Sequence, residues 1–193
     1  MLLKKAKQSW KDSFDKMLSS SEKKETSKVK RYYESQYKIA IDDYVKTKKI
    51  KNYEYLFSAS EFFDLYSSIY VNIGLKFAKS YAKNFDNVVQ KQTDVSNYDS
   101  IWKDRFNQVS REIAGERVTL VRGTAKETLK KVLKQLSSDP EFMAMNEREA
   151  SRILRSKFSQ YSDFQAKRLV RTEATNAANI ATLQGATDMF GQD

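Results

Sequence analysis

The chain has 193 residues, 40% of them hydrophobic and 12% aromatic, which is enough to bury a core and excludes a wholly disordered chain. It contains no Cys and no His, which excludes disulfides and thiolate chemistry and removes the commonest metal ligand and general base. The net charge is +10, and residues 1–57 carry +7 of it; this indicates an anionic neighbour (nucleic acid, an acidic protein surface or lipid head groups) or simply a solvated surface rich in Lys.

Gly and Pro, on which tight turns depend, number only 5 and 1. Their scarcity favours long helices with short joints over a many-stranded sheet. We therefore expect an all-α fold, an elongated multi-helix bundle of about six to seven helices with no sheet. No apolar run reaches the roughly 20 residues of a membrane span, and no EF-hand or Walker loop is present, so no membrane partner, metal or cofactor is expected.

Hydrophobic spacing predicts two helices in a basic amino-terminal region, residues 1–57. The first helix covers residues 2–18 and ends at the three serines of residues 19–21. The second covers residues 23–48 and is followed by a joint around Asn52. The Lys and Arg residues between positions 4 and 51 are candidate contacts for phosphate groups.

Residues 59–90 are predicted to form one long helix that is apolar on most sides, so we expect it to be central. Gly74 lies inside it, where Gly costs about 1 kcal/mol relative to Ala. This glycine marks either a close helix crossing or a position that tolerates the cost. The polar residues 91–98 end a second region, 58–98, and are the best candidate for a lobe boundary.

Four further helices are predicted in the third region, residues 99–193, with a loop before Pro140. They cover residues 99–114, 116–136, 146–158 and, with Ser162 or Asp163 as the cap, about 162–185. Four basic residues repeat at steps of four along the second of these helices: Arg122, Lys126, Lys130 and Lys134. This basic ridge is either a solvated face or a sequence-independent contact for DNA phosphates.

The last helix has a carboxylate, Glu173, in the middle of an apolar face. The face consists of Ala166, Leu169, Val170, Ala174, Ala177, Ile180 and Ala181. A buried carboxylate is unfavourable unless it is paired, so we expect Glu173 to meet a donor from another segment, such as an Arg or backbone N–H groups. Thr172, Asn176 and Asn179 flank the face. These residues indicate a polar clamp inside a bundle; a partner contact and a catalytic carboxylate are the alternatives.

The run Arg171, Thr172, Glu173, followed by Asn179 and Gly185, resembles the signature A-R-T-E-x-x-x-A-x-N of the phage head-morphogenesis family, the Mu F-like minor capsid proteins. The similarity covers about residues 110–190. Members of this family often continue into an Asp-Arg-Arg-His pattern, which this chain lacks. We therefore expect a shorter relative or a fragment of a longer polypeptide, in which residues 99–193 form the Mu F-like module.

This resemblance implies a structural minor head protein of a tailed phage, located in the virion at the portal vertex or head interior and in the host cytoplasm during assembly. Such a protein aids head assembly and DNA packaging or delivery. The implied partners are the portal protein and other head proteins, and double-stranded DNA and a homo-oligomer around the portal are further options. No catalytic residue is expected.

Three other functions stay open from the sequence. Residues 147–149, Glu-Arg-Glu, have the Glu-x-Glu form of ADP-ribosyltransferases, although they stand at a helix start without a β-rich scaffold. A nucleoid-like helical protein that binds DNA without sequence preference would share the basic composition. An internal cargo protein ejected with the genome would share both the charge and the aromatic content.

Overall fold

The computed structural model describes residues 2–89 and 98–190. These residues form five α-helices and no strand: α1 (Leu2–Thr47), α2 (Ala59–Val89), α3 (Asp99–Ser137), α4 (Pro140–Ala144) and α5 (Glu147–Phe190). The predicted all-α class is confirmed, whereas the predicted number of six to seven helices is wrong. Residues 91–97, the main part of the predicted lobe boundary, lie outside the described residues.

The predicted end of the first helix at residues 19–21 is wrong, because α1 continues through the three serines. Serine is only a weak helix breaker, and its hydroxyl can bond back to a carbonyl of the preceding turn. Ser21 does so, since its Oγ donates to the carbonyl oxygen of Met17 at 2.7 Å. The hydroxyl is therefore satisfied within the helix, and nothing in this stretch removes a backbone donor.

Two more predicted breaks are absent. The helices predicted at 99–114 and 116–136 form the single helix α3, because Gly115 and Gly123 each cost only about 1 kcal/mol. The helices predicted at 146–158 and 162–185 form the single helix α5. Ser162, one of the two predicted caps, is fully buried in the interior of α5.

The predicted breaks at two connections are confirmed. α1 ends at Thr47 and α2 begins at Ala59, which places Asn52 in the connection, as expected. Pro140 is the first residue of α4. Asp139 caps this short helix, since its Oδ1 accepts from the backbone N–H of Glu141 at 2.9 Å. The long helix predicted at 59–90 corresponds to α2.

The chain divides into two compact units. Unit 1 comprises Met1–Glu25, Leu65–Glu112 and Leu169–Asp193, and unit 2 comprises Thr26–Asp64 and Ile113–Arg168. Each unit therefore contains parts of α1, α2, α3 and α5. The organisation into consecutive regions 1–57, 58–98 and 99–193 stays a prediction from the sequence.

The core of unit 1 includes aromatic side chains from α2 and α3. Tyr66, Tyr70 and Phe77 on α2 are buried. Phe106 of α3 lies directly on Gly74, where an added Cβ would be 2.7 Å from the ring. Gly74 thus marks a close crossing, which settles the choice that the sequence left open.

The core of unit 2 is built on rings from α1, α5 and the connection between α1 and α2. Tyr37 stacks on Phe158 with ring centroids 4.5 Å apart, and Phe57 meets Tyr37 edge-on at 5.1 Å. The hydroxyl of Tyr37 donates to Oε1 of Gln165 at 2.9 Å. Burial of these rings fixes the register of α1 against α5 in this unit.

Candidate functional site

The residues that resemble the phage signature lie on α5, within unit 1. The helix begins after Asn146, whose Oδ1 accepts from the backbone N–H of Glu149 at 2.9 Å. Glu147 and Glu149 put negative charge into the first turn, which the helix dipole favours. Residues 147–149, which carried the enzyme alternative, thus form an exposed helix start.

The predicted apolar face of α5 is buried. Six of its seven members are buried and one, Ile180, is half-buried. The buried members are Ala166, Leu169, Val170, Ala174, Ala177 and Ala181. The small side chains among them allow close approach of neighbouring helices, so a carboxylate on this face cannot reach water.

Glu173 is 3% exposed and accepts a hydrogen bond from the hydroxyl of Tyr70, from Tyr70 Oη to Glu173 Oε2, at 2.8 Å. Tyr70 belongs to α2 and is itself fully buried. The prediction that Glu173 meets a donor from another segment is confirmed, and one such donor is the phenol of Tyr70 on α2. Hydrogen bonds to charged groups are the strong ones in a buried setting, so this contact ties α5 to α2.

The other signature residues lie outside the buried face. Arg171, Thr172 and Asn179 are exposed, and Asn176 is half-buried. Their grouping into one polar clamp with Glu173 stays a prediction. The structure brings Glu173 alone of these five residues into the interior of unit 1.

A second buried carboxylate in unit 1, on α1, was not predicted from the sequence. Glu25 of α1 is 2% exposed, and its Oε1 accepts from Nδ2 of Asn72 at 3.2 Å. The signal was present, because Ser21, Glu25 and Val29 continue the buried spacing of four residues that runs on to Tyr33. The charged residues on both sides of Glu25 obscure this spacing in the sequence.

Two residues that precede Glu25 on α1 also make polar contacts in unit 1. Nζ of Lys76, on α2, donates to Oγ of Ser21 at 3.0 Å. Burial raises the pKa of Glu22, and the positive charge of Arg171 partly offsets this rise. Unit 1 therefore contains two buried carboxylates, Glu25 of α1 and Glu173 of α5, and each accepts a hydrogen bond from a residue of α2.

The basic ridge of α3 lies in unit 2, and three of its four residues bind the connection that precedes α2. Arg122 Nε donates to the carbonyl oxygen of Phe57 at 2.5 Å. Lys126 Nζ lies 2.6 Å from Oε2 of Glu54, and Lys130 Nζ lies 3.7 Å from its Oε1. These two lysines lower the pKa of Glu54. Lys134 is exposed.

These ridge contacts hold an unusual backbone. Phe57 has φ of 57°, a left-handed value that a bulky residue adopts only when its surroundings enforce it. Its N–H donates to Oε1 of Gln36 at 3.1 Å, while Arg122 holds its carbonyl oxygen. The ridge thus has a role inside the fold, and its contact with DNA stays a prediction.

Within residues 2–89 and 98–190, the structure shows no group of three or more acidic side chains that could hold a metal ion. No helix in this part of the chain is long and apolar enough to cross a bilayer.

No known protein family, curated protein or solved structure matches the chain.

Proposed function

We propose that the chain is a structural minor head protein of a tailed phage, associated with the portal vertex and the head interior. It would aid head assembly and DNA packaging or delivery, with the portal protein and other head proteins as its partners. The observation that carries this proposal is the place of Glu173. The acidic residue of the phage-like signature is buried on the small-residue face of α5 and hydrogen-bonded to Tyr70.

The place of Glu173 supports a structural role over an enzymatic one. A catalytic carboxylate has to reach a substrate, whereas this one is 3% exposed and held by a buried phenol. The absence of His and Cys from the sequence also removes the side chains that most often act as general base or nucleophile at neutral pH. We therefore propose that the chain acts through binding and assembly.

The experiment is a comparison of particles from the phage or prophage that encodes the chain. Full virions, DNA-free proheads and empty heads after DNA ejection are purified and analysed by quantitative mass spectrometry. A protein of the portal vertex is present in a few copies in all three. An internal cargo protein is present in full virions and lost from the empty heads. Absence of the chain from every particle refutes the proposal.

Two variants connect the result to the motif. Glu173→Ala should lower incorporation into proheads, because it removes the buried hydrogen bond from the hydroxyl of Tyr70 to Glu173. Thr172→Ala, at the exposed neighbouring position, serves as the matched control and should be incorporated like the wild type. Equal incorporation of the two variants would show that head assembly does not depend on the carboxylate of Glu173.

A further inference from the structure

Two aromatic side chains of unit 2 are exposed side by side on α5. Phe164 is 63% exposed and Tyr161 is 42% exposed. Residues three apart on a helix lie on the same face, so both rings point to one side of α5. Exposed large aromatic side chains that cluster in this way mark binding surfaces more often than isolated ones do.

The two rings border a groove of about 310 Å³ between α3 and α5. It is lined by Val132, Gln135, Lys157, Gln160, Tyr161 and Phe164. Val132 is the single aliphatic member and is 4% exposed. The remaining members are two amides and one ammonium group. Each amide can both donate and accept hydrogen bonds, so the groove combines flat apolar faces with adaptable polar groups.

Positive charge is concentrated on the helix segments that form this groove. Residues 128–137 and 152–168 contain eight Lys and Arg residues against one Asp, and three of these cations, Lys130, Arg155 and Lys167, pair with Glu54, Asp42 and Asp163. Lys131 precedes Gln135 by one helical turn, and Arg168 follows Phe164 by one turn. Both therefore lie on the groove side of their helices, together with Lys157.

The cations of the groove differ from those of the ridge in what they bind. Lys126 is held by Glu54 of the same chain. In the described part of the chain, neither Lys131 nor Lys157 forms an ion pair with a carboxylate. Lys131 is also exposed. The groove thus offers positive charge that the fold itself does not neutralise.

We propose that this groove binds single-stranded nucleic acid without sequence preference, with bases stacked on Phe164 and Tyr161 and phosphates bound by Lys131 and Lys157. Aromatic faces in a basic groove are the combination that single-strand binding uses, because every base has a π-face and every nucleotide carries a negative charge. The inference goes beyond the proposed head role and does not depend on it.

A single strand fits the groove better than the other anionic partners. The bases of a duplex are stacked inside the helix, so they cannot stack on the two rings. An acidic amphipathic helix needs a continuous apolar trough, and this groove has only Val132 between its amides. Neither a duplex nor an acidic amphipathic helix would stack on the two rings, so substitution of the rings distinguishes these partners from a single strand.

The test is fluorescence anisotropy of the full chain with a labelled oligothymidylate and with a duplex of the same length, over a series of salt concentrations. We expect the single strand to bind more tightly than the duplex. With two phosphate contacts, the logarithm of the binding constant should fall with the logarithm of salt concentration with a slope of about −1.4. Phe164→Ala and Tyr161→Ala should each weaken binding about 5- to 140-fold.

Matched controls separate stacking from general attraction. Tyr55 is 66% exposed and belongs to unit 2 but not to the groove, so Tyr55→Ala should bind like the wild type. A Lys131→Glu/Lys157→Glu variant should lose affinity and most of the salt dependence, because both phosphate contacts are removed. A Lys46→Glu/Lys49→Glu variant, with the same change of net charge at exposed positions outside the groove, should retain most of the affinity. Circular dichroism checks that each variant is folded.

Three outcomes overturn the proposal. The first is no binding of oligothymidylate at low salt. The second is equal binding of duplex and single strand that neither ring variant weakens, which indicates non-specific electrostatic attraction. The third is a loss of oligonucleotide binding in the Lys46→Glu/Lys49→Glu variant but in none of the groove variants, which places the binding site elsewhere on unit 2. Loss of binding in the ring variants and in the Lys131/Lys157 variant, with Tyr55→Ala and the Lys46/Lys49 variant unaffected, supports it. This result is independent of where the chain is found in phage particles.

Discussion

A Gly74→Ala substitution would place a Cβ atom 2.7, 2.8 and 2.9 Å from three ring carbons of Phe106. Carbon atoms in favourable contact are about 3.5–4.0 Å apart, so the ring or the helix has to move by most of an ångström. Phe106 is 1% exposed, which means that its ring is packed on its other sides as well. Overpacking of this kind costs about 1–3 kcal/mol. The better helix propensity of Ala returns about 1 kcal/mol, so we expect a net loss of up to about 2 kcal/mol.

The same substitution elsewhere in the chain supplies the control. An added Cβ at Gly115 or Gly123 of α3 would meet nothing within 4 Å. Gly115→Ala and Gly123→Ala should therefore each gain up to about 1 kcal/mol through helix propensity alone. The free energy of unfolding is measured by urea denaturation followed by far-UV circular dichroism. The difference in sign between Gly74→Ala and the two controls is the expected result.

A stabilising effect of Gly74→Ala equal to that of Gly115→Ala would refute the close packing of Phe106 on α2. A Gly74→Ala/Phe106→Leu double variant provides a further check. If the clash is the cause, the double variant should lose less stability than the two single changes added together, because the smaller side chain makes room for the methyl group. Strict additivity would place the cost of Gly74→Ala elsewhere.

Three further predictions can be measured by the same denaturation assay. Glu173→Ala should cost about 1–3 kcal/mol, since it leaves the Tyr70 hydroxyl buried without this acceptor, whereas Thr172→Ala should stay within about 0.5 kcal/mol of the wild type; equal values would contradict the burial argument. Asp188→Ala should lower the free energy of unfolding by more than about 1.5 kcal/mol, because Oδ2 of Asp188 accepts from Trp102 Nε1 at 2.7 Å and Arg105 pairs with the same carboxylate at 2.8 Å. An unchanged free energy of unfolding would show that these contacts do not stabilise the fold. Burial raises the pKa of Tyr53 to about 12 from an ordinary value of 10.0, so its contribution to stability should be complete below pH 10 and lost as pH rises toward 12, and Tyr53→Phe should reduce the loss of stability in that window.

The sequence predicted best what depends on one helix alone. The bounds of α2 and the buried face of α5 follow from spacing, because burial of apolar side chains at a period near 3.6 residues is a property of the single helix. The breaks inside α1, α3 and α5 were predicted wrongly for the same reason. Serines and an isolated Gly change helix stability by about 1 kcal/mol or less, and packing of a whole helix face outweighs them. Pro140 is the one residue that lacks a backbone N–H donor, and at this position α3 has ended and α4 begins.

The partners of the site residues could not be predicted, because they depend on the register between helices. Spacing placed Glu173 on the buried face of α5, but the residue opposite it is set by how α2 packs in unit 1, and that residue is Tyr70. Glu25 was missed because its neighbours in the sequence are charged, although its spacing to Val29 matches the buried face of α1. A helix wheel gives the face on which a carboxylate lies, and tertiary packing gives the donor.

The two basic surfaces of unit 2 show why spacing of charges does not by itself identify an anion site. Arg122 and Lys126 repeat at the step that aligns them on one face of α3, yet Phe57 and Glu54 occupy that face. Substituting Arg122 or Lys126 would therefore remove a contact within the fold, whether or not an anionic ligand binds there. Beside the groove, Lys131 has no such internal acceptor in the described part of the chain and stands one turn from a lining residue. An accessible anion site therefore requires cations that the fold leaves unneutralised, and on this criterion the groove, rather than the ridge, is where a nucleic acid would gain most from phosphate contacts.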